Sequence, residues 1–565
     1  MPTLKVVTAV VVLYIFYRLA RMGHRDKRLP PGPPTLPIIG NLHQIPVTGI
    51  YKKFKEWGEQ YGKVFSLKMG SGTMIVLYDR RAIHELLDKK GIIYSERPID
   101  HVVSLVTNGD SFAFMDSTPL WRNQRKIASH TLAPRMLDEK VSPIQDAEYV
   151  TLQVTAQWVS DIASILQGLY VFVRYGSDAG RLLSPCRTND GFGSEHYRVG
   201  LSRAKSHGSG TAFDVSTWLM YSAALEPGAN PPVDQFPFLK YLPDFMSTWR
   251  TRAKQSYKAM DGIWNEARRR VDQRRETGDK RNSIADQVLD GEKGTDLSLN
   301  AHQLNHFLGV LVEGGADTTS ASLLTSILML VLNPHVQRKA QKQLDAVCGT
   351  ERTPVWSDFE NLPYINCIVK ESMRWHPNLP LGVPHRVNKD DWFDGMLIPK
   401  DATVVIPIWA IQNSPSVMRG THASLLSMPA VPTTKTEISS SIFSLDPSFL
   451  APLHPVFSNK HIAPDASANV ALPFHTTMPT ALAAASVPAC TWQSAQSKLL
   501  WAFDIEHAVD PETGDTVPID AEKFKEGISH SPQPFKAVFR PRSQAHVATI
   551  RLEAALGAKK LRVYE

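Results

Sequence analysis

The chain has 565 residues, 43% hydrophobic and 21% charged, a composition that excludes wholesale disorder and a length that exceeds one typical domain of ~100–200 residues without excluding a large single-domain enzyme. Its four cysteines, Cys186, Cys348, Cys367 and Cys490, lie far apart with no C-x-x-C pair, which excludes a disulfide framework, a structural zinc module and a cysteine-ligated iron–sulfur cluster and favours a reduced, cytosol-facing chain. The net charge of +7, spread over 62 Lys+Arg and 55 Asp+Glu, does not argue for nucleic acid and suits a negatively charged membrane surface or an acidic partner equally.

Val6 to Tyr17 is an uncharged, largely apolar run, with one basic residue before it (Lys5) and five after it, Arg18, Arg21, Arg25, Lys27 and Arg28. A full span takes about 20 residues, so this run is long enough only with Leu4, Leu19 and Ala20. A cleaved secretory peptide has a similar apolar core, but here the basic residues follow the run and no small-residue cleavage site appears. A retained anchor with the downstream chain on the cytoplasmic side is expected, occupying 1–28 with its basic flank. Pro30-Pro31-Gly32-Pro33-Pro34 cannot be helical and is expected to hold the anchor stiffly away from the body, which spans 29–565.

From about residue 50, helical patterns alternate with short strands such as Val64–Lys68 and Met74–Leu77. Trp121 and Arg125 are spaced to share a helix face, and their indole N–H and guanidinium would suit an anionic group; an isolated pair of this kind is more often a surface cation–aromatic contact. Residues 176–212 are rich in Gly and Ser and lack periodicity. The strongest helical pattern runs from Asn300 to Leu332, where Leu304, Phe307, Leu308, Leu311, Val312, Leu323, Leu324, Ile327 and Val331 recur at helical spacing until Asn333-Pro334. A helix so long and apolar is expected through the middle of a large domain.

That helix contains Gly314-Gly315-Ala316-Asp317-Thr318-Thr319. Two interior glycines cost about 1 kcal/mol each against Ala, so a compensating use is expected: close approach of another surface, and a Thr hydroxyl bonding back up the helix. Asp317 and Thr318 beside such a notch could deliver protons to a ligand; a plain helix crossing is the alternative. Pro363 and Pro377 frame a helix carrying Glu371 and Arg374 at i,i+3, on one face. Such pairs are commonly solvated, but Ile365, Ile368, Val369 and Met373 predict a buried helix, where the pair needs further hydrogen bonds. Pro384-His385-Arg386 then leads towards an apolar strand from Ala402 to Ile408. Of the 84 residues in 414–497, 45 are Ser, Thr, Ala or Pro and only six are charged, which reads either as a long disordered insertion or as something foreign to the surrounding chain.

In this order — anchor, basic stretch, proline hinge, W-x-x-x-R, G-G-A-D-T-T, E-x-x-R, P-H — the features resemble a membrane-anchored cytochrome P450 of the microsomal type, over nearly the whole chain. Residues 30–41 and 499–506 are similar to fungal members that tailor secondary metabolites. The resemblance implies a mainly α fold with a small β-sheet, one large domain behind a transmembrane helix, holding haem b. It implies an oxidoreductase, a monooxygenase that inserts one oxygen atom from O2 into a small apolar metabolite, with electrons from NADPH through a cytochrome P450 reductase, at the endoplasmic reticulum membrane. Asp317 and Thr318 match its proton-relay pair, and Trp121, Arg125 and His385 match positions that hydrogen-bond the haem propionates, with Ala316 beside the cofactor. Glu371 and Arg374 match a structural pair, and residues near Val102–Phe112, Val312, Glu313 and Leu381–Val383 would line the substrate pocket. A non-catalytic, membrane-tethered remnant of the same fold is the alternative.

The family's haem loop, F-x-x-G-x-R-x-C-x-G, and the aromatic-x-Pro-x-Arg ahead of it are absent. Cys490 has no neighbouring Gly or Arg and is only a fallback ligand, so the sequence supports no metal ligand. Reading the third base of each codon from Pro479 to Gln493 with the first two of the next permits Y-G-x-G-R-R-V-C-P-G-M-H-L-A, the missing loop with Tyr for Phe. Residues 414–497 are therefore expected to be, at least in part, the product of a wrong reading frame, restored before Lys498.

Overall fold

Asn300 opens the longest helix with a reciprocal cap: its Oδ1 accepts from the Gln303 backbone N–H at 2.9 Å while Gln303 Oε1 accepts from the Asn300 N–H at 3.2 Å. In the computed structural model, the described residues are 22–133, 228–281, 283–291, 299–414, 493–527 and 529–561, with 7, 14, 135, 144–147, 149–150 and 153; of Ala316, Asp317 and Leu561 only the backbone belongs to this set. The helices that position the site are α1 (Ile50–Tyr61), α2 (His101–Thr107), α3 (Pro119–Thr131), α4 (Thr248–Glu276), α5 (Ala301–Leu332), α6 (Pro334–Cys348), α7 (Pro363–Trp375), α8 (Ile408–Gln412) and α9 (Gln544–Leu561). Strands β1 (Val64–Met69), β2 (Gly72–Leu77), β3 (His385–Arg386) and β6 (Thr403–Val405) form one sheet in the order β1-β2-β6-β3, and β4 (Asp391–Phe393) with β5 (Met396–Ile398), and β7 (Phe503–His507) with β8 (Ala537–Pro541), form two hairpin-like pairs. The architecture is mainly helical with small sheets, as expected.

α5 alone among the described helices is long and apolar enough to cross a membrane, yet 81% of its most apolar window is buried inside the protein. It is the core helix that its sequence pattern predicts. Its C-terminal half packs with α6, α7, β7, β8 and residues 495–502 in the largest apolar cluster. Its N-terminal half meets α4 and the Phe112 segment. The expected strand from Ala402 to Ile408 is shorter: Pro407 has no N–H to extend the ladder, and Ile408 instead begins α8.

The expected anchor, Val6–Tyr17, lies outside the described residues except for Val7 and Tyr14, both helical and exposed. The proline hinge differs from expectation. It is docked onto the sheet rather than standing off as a spacer, and every carbonyl from Pro30 to Pro34 accepts a hydrogen bond. Ser66 Oγ reaches Pro30 at 2.6 Å and Ser66 N reaches Pro31 at 2.8 Å. Arg25 donates to Gly32 and Pro33 at 2.5 and 2.7 Å, and Asn41 and Gln44 both reach Pro34. Gly32 is required here, because a Cβ would sit 2.1 Å from the Ser66 carbonyl. Leu397 N donates to Arg28 O at 2.8 Å and Gly23 N to Gly70 O at 3.1 Å, so the chain joins the body before residue 29.

Candidate functional site

β3 carries His385 into the interior, 1% exposed, with both ring nitrogens lacking a hydrogen-bond partner. Burial first, and then the charge of Arg97, push its pKa down to about 3, against a weaker opposing influence of the Tyr94 backbone. Arg97 is itself 9% exposed and is pulled down to about 10 by burial, against the opposing charge of Asp116. Its Nη1 donates to the Pro384 carbonyl at 2.9 Å and the Val383 carbonyl at 3.4 Å, bracing the turn into His385. Arg97 was not singled out from the sequence; it stands alone between two short helices, and only the fold brings it to His385.

Asp116 links this centre to α3. It accepts from the Arg97 backbone N–H at 2.9 Å and from Arg386 Nη2 at 2.6 Å. Two residues on, Thr118 caps α3 by accepting from the Trp121 N–H at 3.2 Å. Trp121 and Arg125 share one face, as their spacing requires, and the guanidinium carbon lies 5.0 Å from the indole ring centre. Partial burial lowers the Arg125 pKa. Neither the indole N–H nor the Arg125 guanidinium has a protein acceptor among the described residues, so the cation–aromatic contact leaves both sets of donors available.

α5 carries the two glycines of the G-G-A-D-T-T motif in its middle. Thr318 Oγ1 donates to the Gly314 carbonyl at 2.8 Å, the back-bonding expected from the sequence. The Thr318 carbonyl in turn accepts from Asn378 Nδ2 at 2.6 Å and Ser322 Oγ at 2.9 Å. Asn378, in the loop after α7, is a second residue that the sequence pattern did not flag. A Cβ at Gly315 would meet nothing within 4 Å, whereas one at Gly309 would lie 2.4 Å from the Trp264 ring of α4. Another surface thus approaches closely at Gly309, while Gly315 faces open space. The side chains of Ala316 and Asp317 lie outside the described set.

Glu371 and Arg374, 5% and 6% exposed, pair through two parallel hydrogen bonds of 2.7 and 2.8 Å, with Arg374 Nη1 3.4 Å from Gln412 O and Asn413 Oδ1. This is the buried and further-bonded pair expected from its apolar neighbours. Cys348 is buried beside Asp358, and burial, aided by that carboxylate, pushes its thiol up to about 11; burial also raises Cys367 within α7. Both are protonated thiols of the helical core. Cys186 and Cys490 lie outside the described residues, as do 176–212 and 415–492. On the C-terminal side, Leu499, Leu500, Trp501, Ala502 and Phe503 are fully buried, and Trp501 Nε1 donates to Gly349 O at 2.8 Å. Directly before them, Gln493 and Gln496 are 1% exposed, and neither amide atom of Gln496 has a partner.

The family model described as cytochrome P450 matches residues 30–161 and 219–418, passing over the Gly/Ser-rich stretch and ending at the start of the charge-poor one. The chain is 38% identical over 418 residues to the cytochrome P450 monooxygenase patH of Aspergillus clavatus, covering 74% of this chain and 76% of that one. It is 33% identical over 568 residues to the cytochrome P450 monooxygenase macC of Penicillium terrestre, covering 97% and 96%. Among solved structures it is similar in fold to a zebrafish cytochrome P450 solved with abiraterone, with a TM-score of 0.59, 20% identity, and coverage of 87% of this chain and 100% of that one.

Proposed function

The chain belongs to the cytochrome P450 family, and from that premise we propose that it is a haem-dependent monooxygenase acting on a small apolar metabolite of secondary metabolism. The observation that carries the reading is His385. A buried polar group without a partner costs about 1–3 kcal/mol, and both of its ring nitrogens are in that state. A haem propionate would accept from His385 and, one element away, from Trp121 Nε1 and Arg125, which share the need for an acceptor. The open space at Gly315 is where a planar macrocycle could lie against α5.

The residues fit on the propionate and α5 sides; for an iron ligand the described residues offer only the protonated core thiols of Cys348 and Cys367, which do not fit. Haem held by a thiolate supplies oxygen activation and one-electron chemistry. The chain's own contribution is positional and protonic. Thr318, held with its hydroxyl towards the Gly314 carbonyl, can pass a proton at Oγ1, and Asp317, one residue before it on α5, is its partner in the relay. Val102, Val106 and Val312 form an apolar wall with α4 that suits an apolar substrate and excludes water. Glu371 and Arg374 hold α7 to the segment after α8 and take no part in proton transfer.

Electrons would come from NADPH through a cytochrome P450 reductase. The apolar run Val6–Tyr17 and its basic flank support a single-pass anchor in the endoplasmic reticulum membrane with the catalytic body in the cytoplasm. The deciding experiment is the reduced, carbon monoxide-bound absorption spectrum of the purified protein. A thiolate-type Soret band supports the enzyme; failure to take up haem supports the non-catalytic remnant.

A further inference from the structure

Beside the apolar wall of Val102, Val106 and Val312, four side chains from three segments converge where α4 crosses the first turns of α5. His302 and His306 sit at i,i+4 on α5, so their rings lie one above the other, 4.1 Å between centres. Asp261 of α4 faces both: its Oδ1 is 3.1 Å from His306 Nε2 and 3.5 Å from His302 Nε2. The ligand atoms of these three residues all lie within 4.8 Å of one another. Tetrahedral ligands at ~2.0–2.1 Å from a zinc ion stand about 3.3 Å apart, a spacing these atoms reach with small side-chain adjustments.

Two of the three ligands have an outer support. His302 Nδ1 lies 3.1 Å from Asp110 Oδ2, in the connection between α2 and α3. With the Nδ1 proton given to Asp110, the Nε2 lone pair is free to ligate and lies 3.5 Å from Asp261 Oδ1 and 3.1 Å from the Tyr257 hydroxyl. Asp261 Oδ2 accepts from Asn265 Nδ2 at 2.9 Å, and Asn265 Oδ1 accepts from Asn305 Nδ2 at 3.0 Å, which fixes the carboxylate. Carboxylate support of a ligating histidine, and hydrogen-bonded support of a ligating carboxylate, are the usual surroundings of a metal centre. Tyr257 OH, 3.1 Å from His302 Nε2, or a water can take the fourth position. What sets the cluster apart from an ordinary ion pair is that two imidazole Nε2 atoms and one carboxylate oxygen converge on a single point, each within ligand spacing of the others.

We propose that Asp261, His302 and His306 bind one zinc ion, which pins α4 to α5 and, through Asp110, to the segment following α2. The site lies beside the packing of Phe112 on Phe307 and of Trp264 on Gly309, over the apolar wall of Val102, Val106, Met260 and Val312. Zinc would thus stiffen the roof of that wall. Imidazole and carboxylate ligands suit zinc, and a site with two imidazoles discriminates against magnesium.

The test uses the untagged full-length protein, stripped with chelator and titrated with zinc against a chromophoric competitor, alongside thermal unfolding. One zinc per chain, a thermal midpoint that rises with zinc and does not respond to magnesium, and X-ray absorption showing only nitrogen and oxygen neighbours at about 2.0–2.1 Å are expected. His302→Gln and Asp261→Asn should each weaken zinc binding at least tenfold. Asp110→Asn, which touches no metal, should weaken it by roughly 10–100-fold; it also serves as the variant least able to disturb folding, since Asp110 is partly exposed. Wild-type protein that takes up no zinc on titration, or variants that bind it as well as the wild type, would overturn the assignment. Sulfur neighbours in the absorption spectrum would place the ion on a cysteine and overturn it equally.

Discussion

Removing one member of the Glu371–Arg374 pair should be far more damaging than removing both. The two side chains are 5% and 6% exposed and joined by bonds of 2.7 and 2.8 Å, so their charge centres lie about 4 Å apart; at an effective dielectric of ~20 the attraction is about 4 kcal/mol. Glu371→Leu leaves the guanidinium buried with long contacts of 3.4 Å to Gln412 O and Asn413 Oδ1, and Arg374→Met strands the carboxylate. Each single change should destabilise by about 3–5 kcal/mol, whereas the double change removes the stranded charge along with the attraction. The double variant should therefore be at least ~2 kcal/mol more stable than the sum of the singles predicts. Urea unfolding followed by tryptophan fluorescence, with slopes compared across all four proteins, measures this coupling. Additive effects, or a single change worth less than about 1 kcal/mol, would refute the reasoning, because a pair that water can screen behaves that way.

Burial holds His376 and His530 at about 3 and 4, below the ordinary histidine value, so their native forms are neutral while the unfolded chain takes up protons below about pH 6.5. Stability should be fully present above that pH and fall as it drops towards 4, by up to about 1.4 kcal/mol per pH unit for each histidine; His376→Phe, stacked on Phe524 as the imidazole is, should flatten this slope, and an unchanged slope would rule His376 out. Deleting residues 1–21 should release the protein from membranes with its thermal midpoint intact, whereas deleting 1–28 should lower that midpoint by removing Arg25 from Gly32, Pro33 and Ser66; equal midpoints would contradict the docking role of Arg25. In a haem-loaded form, Thr318→Ala should leave substrate binding intact while diverting electrons from NADPH to peroxide, and unchanged coupling would remove Thr318 from the relay. Sequencing the transcript across 414–497 should reveal a displaced frame that continues through Gln493 and Gln496, since the shifted codons there allow Ile or Val where the structure buries the amide of Gln496 and the amide oxygen of Gln493 without partners; a message encoding the chain as written would end that explanation.

Much of the site was legible because its signals are local. The period of Leu304 to Val331 and the Asn333-Pro334 stop give α5 almost residue for residue, and the prolines on either side of Glu371 and Arg374 give α7. The W-x-x-x-R spacing is likewise a property of one helix. What escaped the sequence depends on partners far along the chain. Arg97 reaches His385 only once β3 pairs with β6, and Asn378 finds the Thr318 carbonyl from a loop. Asp261 meets His302 and His306 across two helices. The close approach at Gly309 escaped for the same reason: only the fold brings the Trp264 ring to it. The proline hinge misled because proline rigidity is a local property, whereas its hydrogen-bonding partners, Arg25, Asn41 and Ser66, are set by the fold.

That hinge also settles how the sheet ends. β1 is the outermost strand of its sheet, and an outermost strand invites pairing with another chain. Here its outward-facing groups are already taken: Ser66 N by Pro31 and Ser66 O by Arg25, Lys68 N by Asn41 Oδ1 and Lys68 O by Asn41 N. The strip that covers them is itself a poor template, because four of its five residues are prolines without an N–H. A second molecule approaching this flank would meet a row of carbonyls already occupied and almost no donors. The segment thus guards the protein against stacking strand to strand with its own copies, a safeguard of particular value where many copies are crowded together.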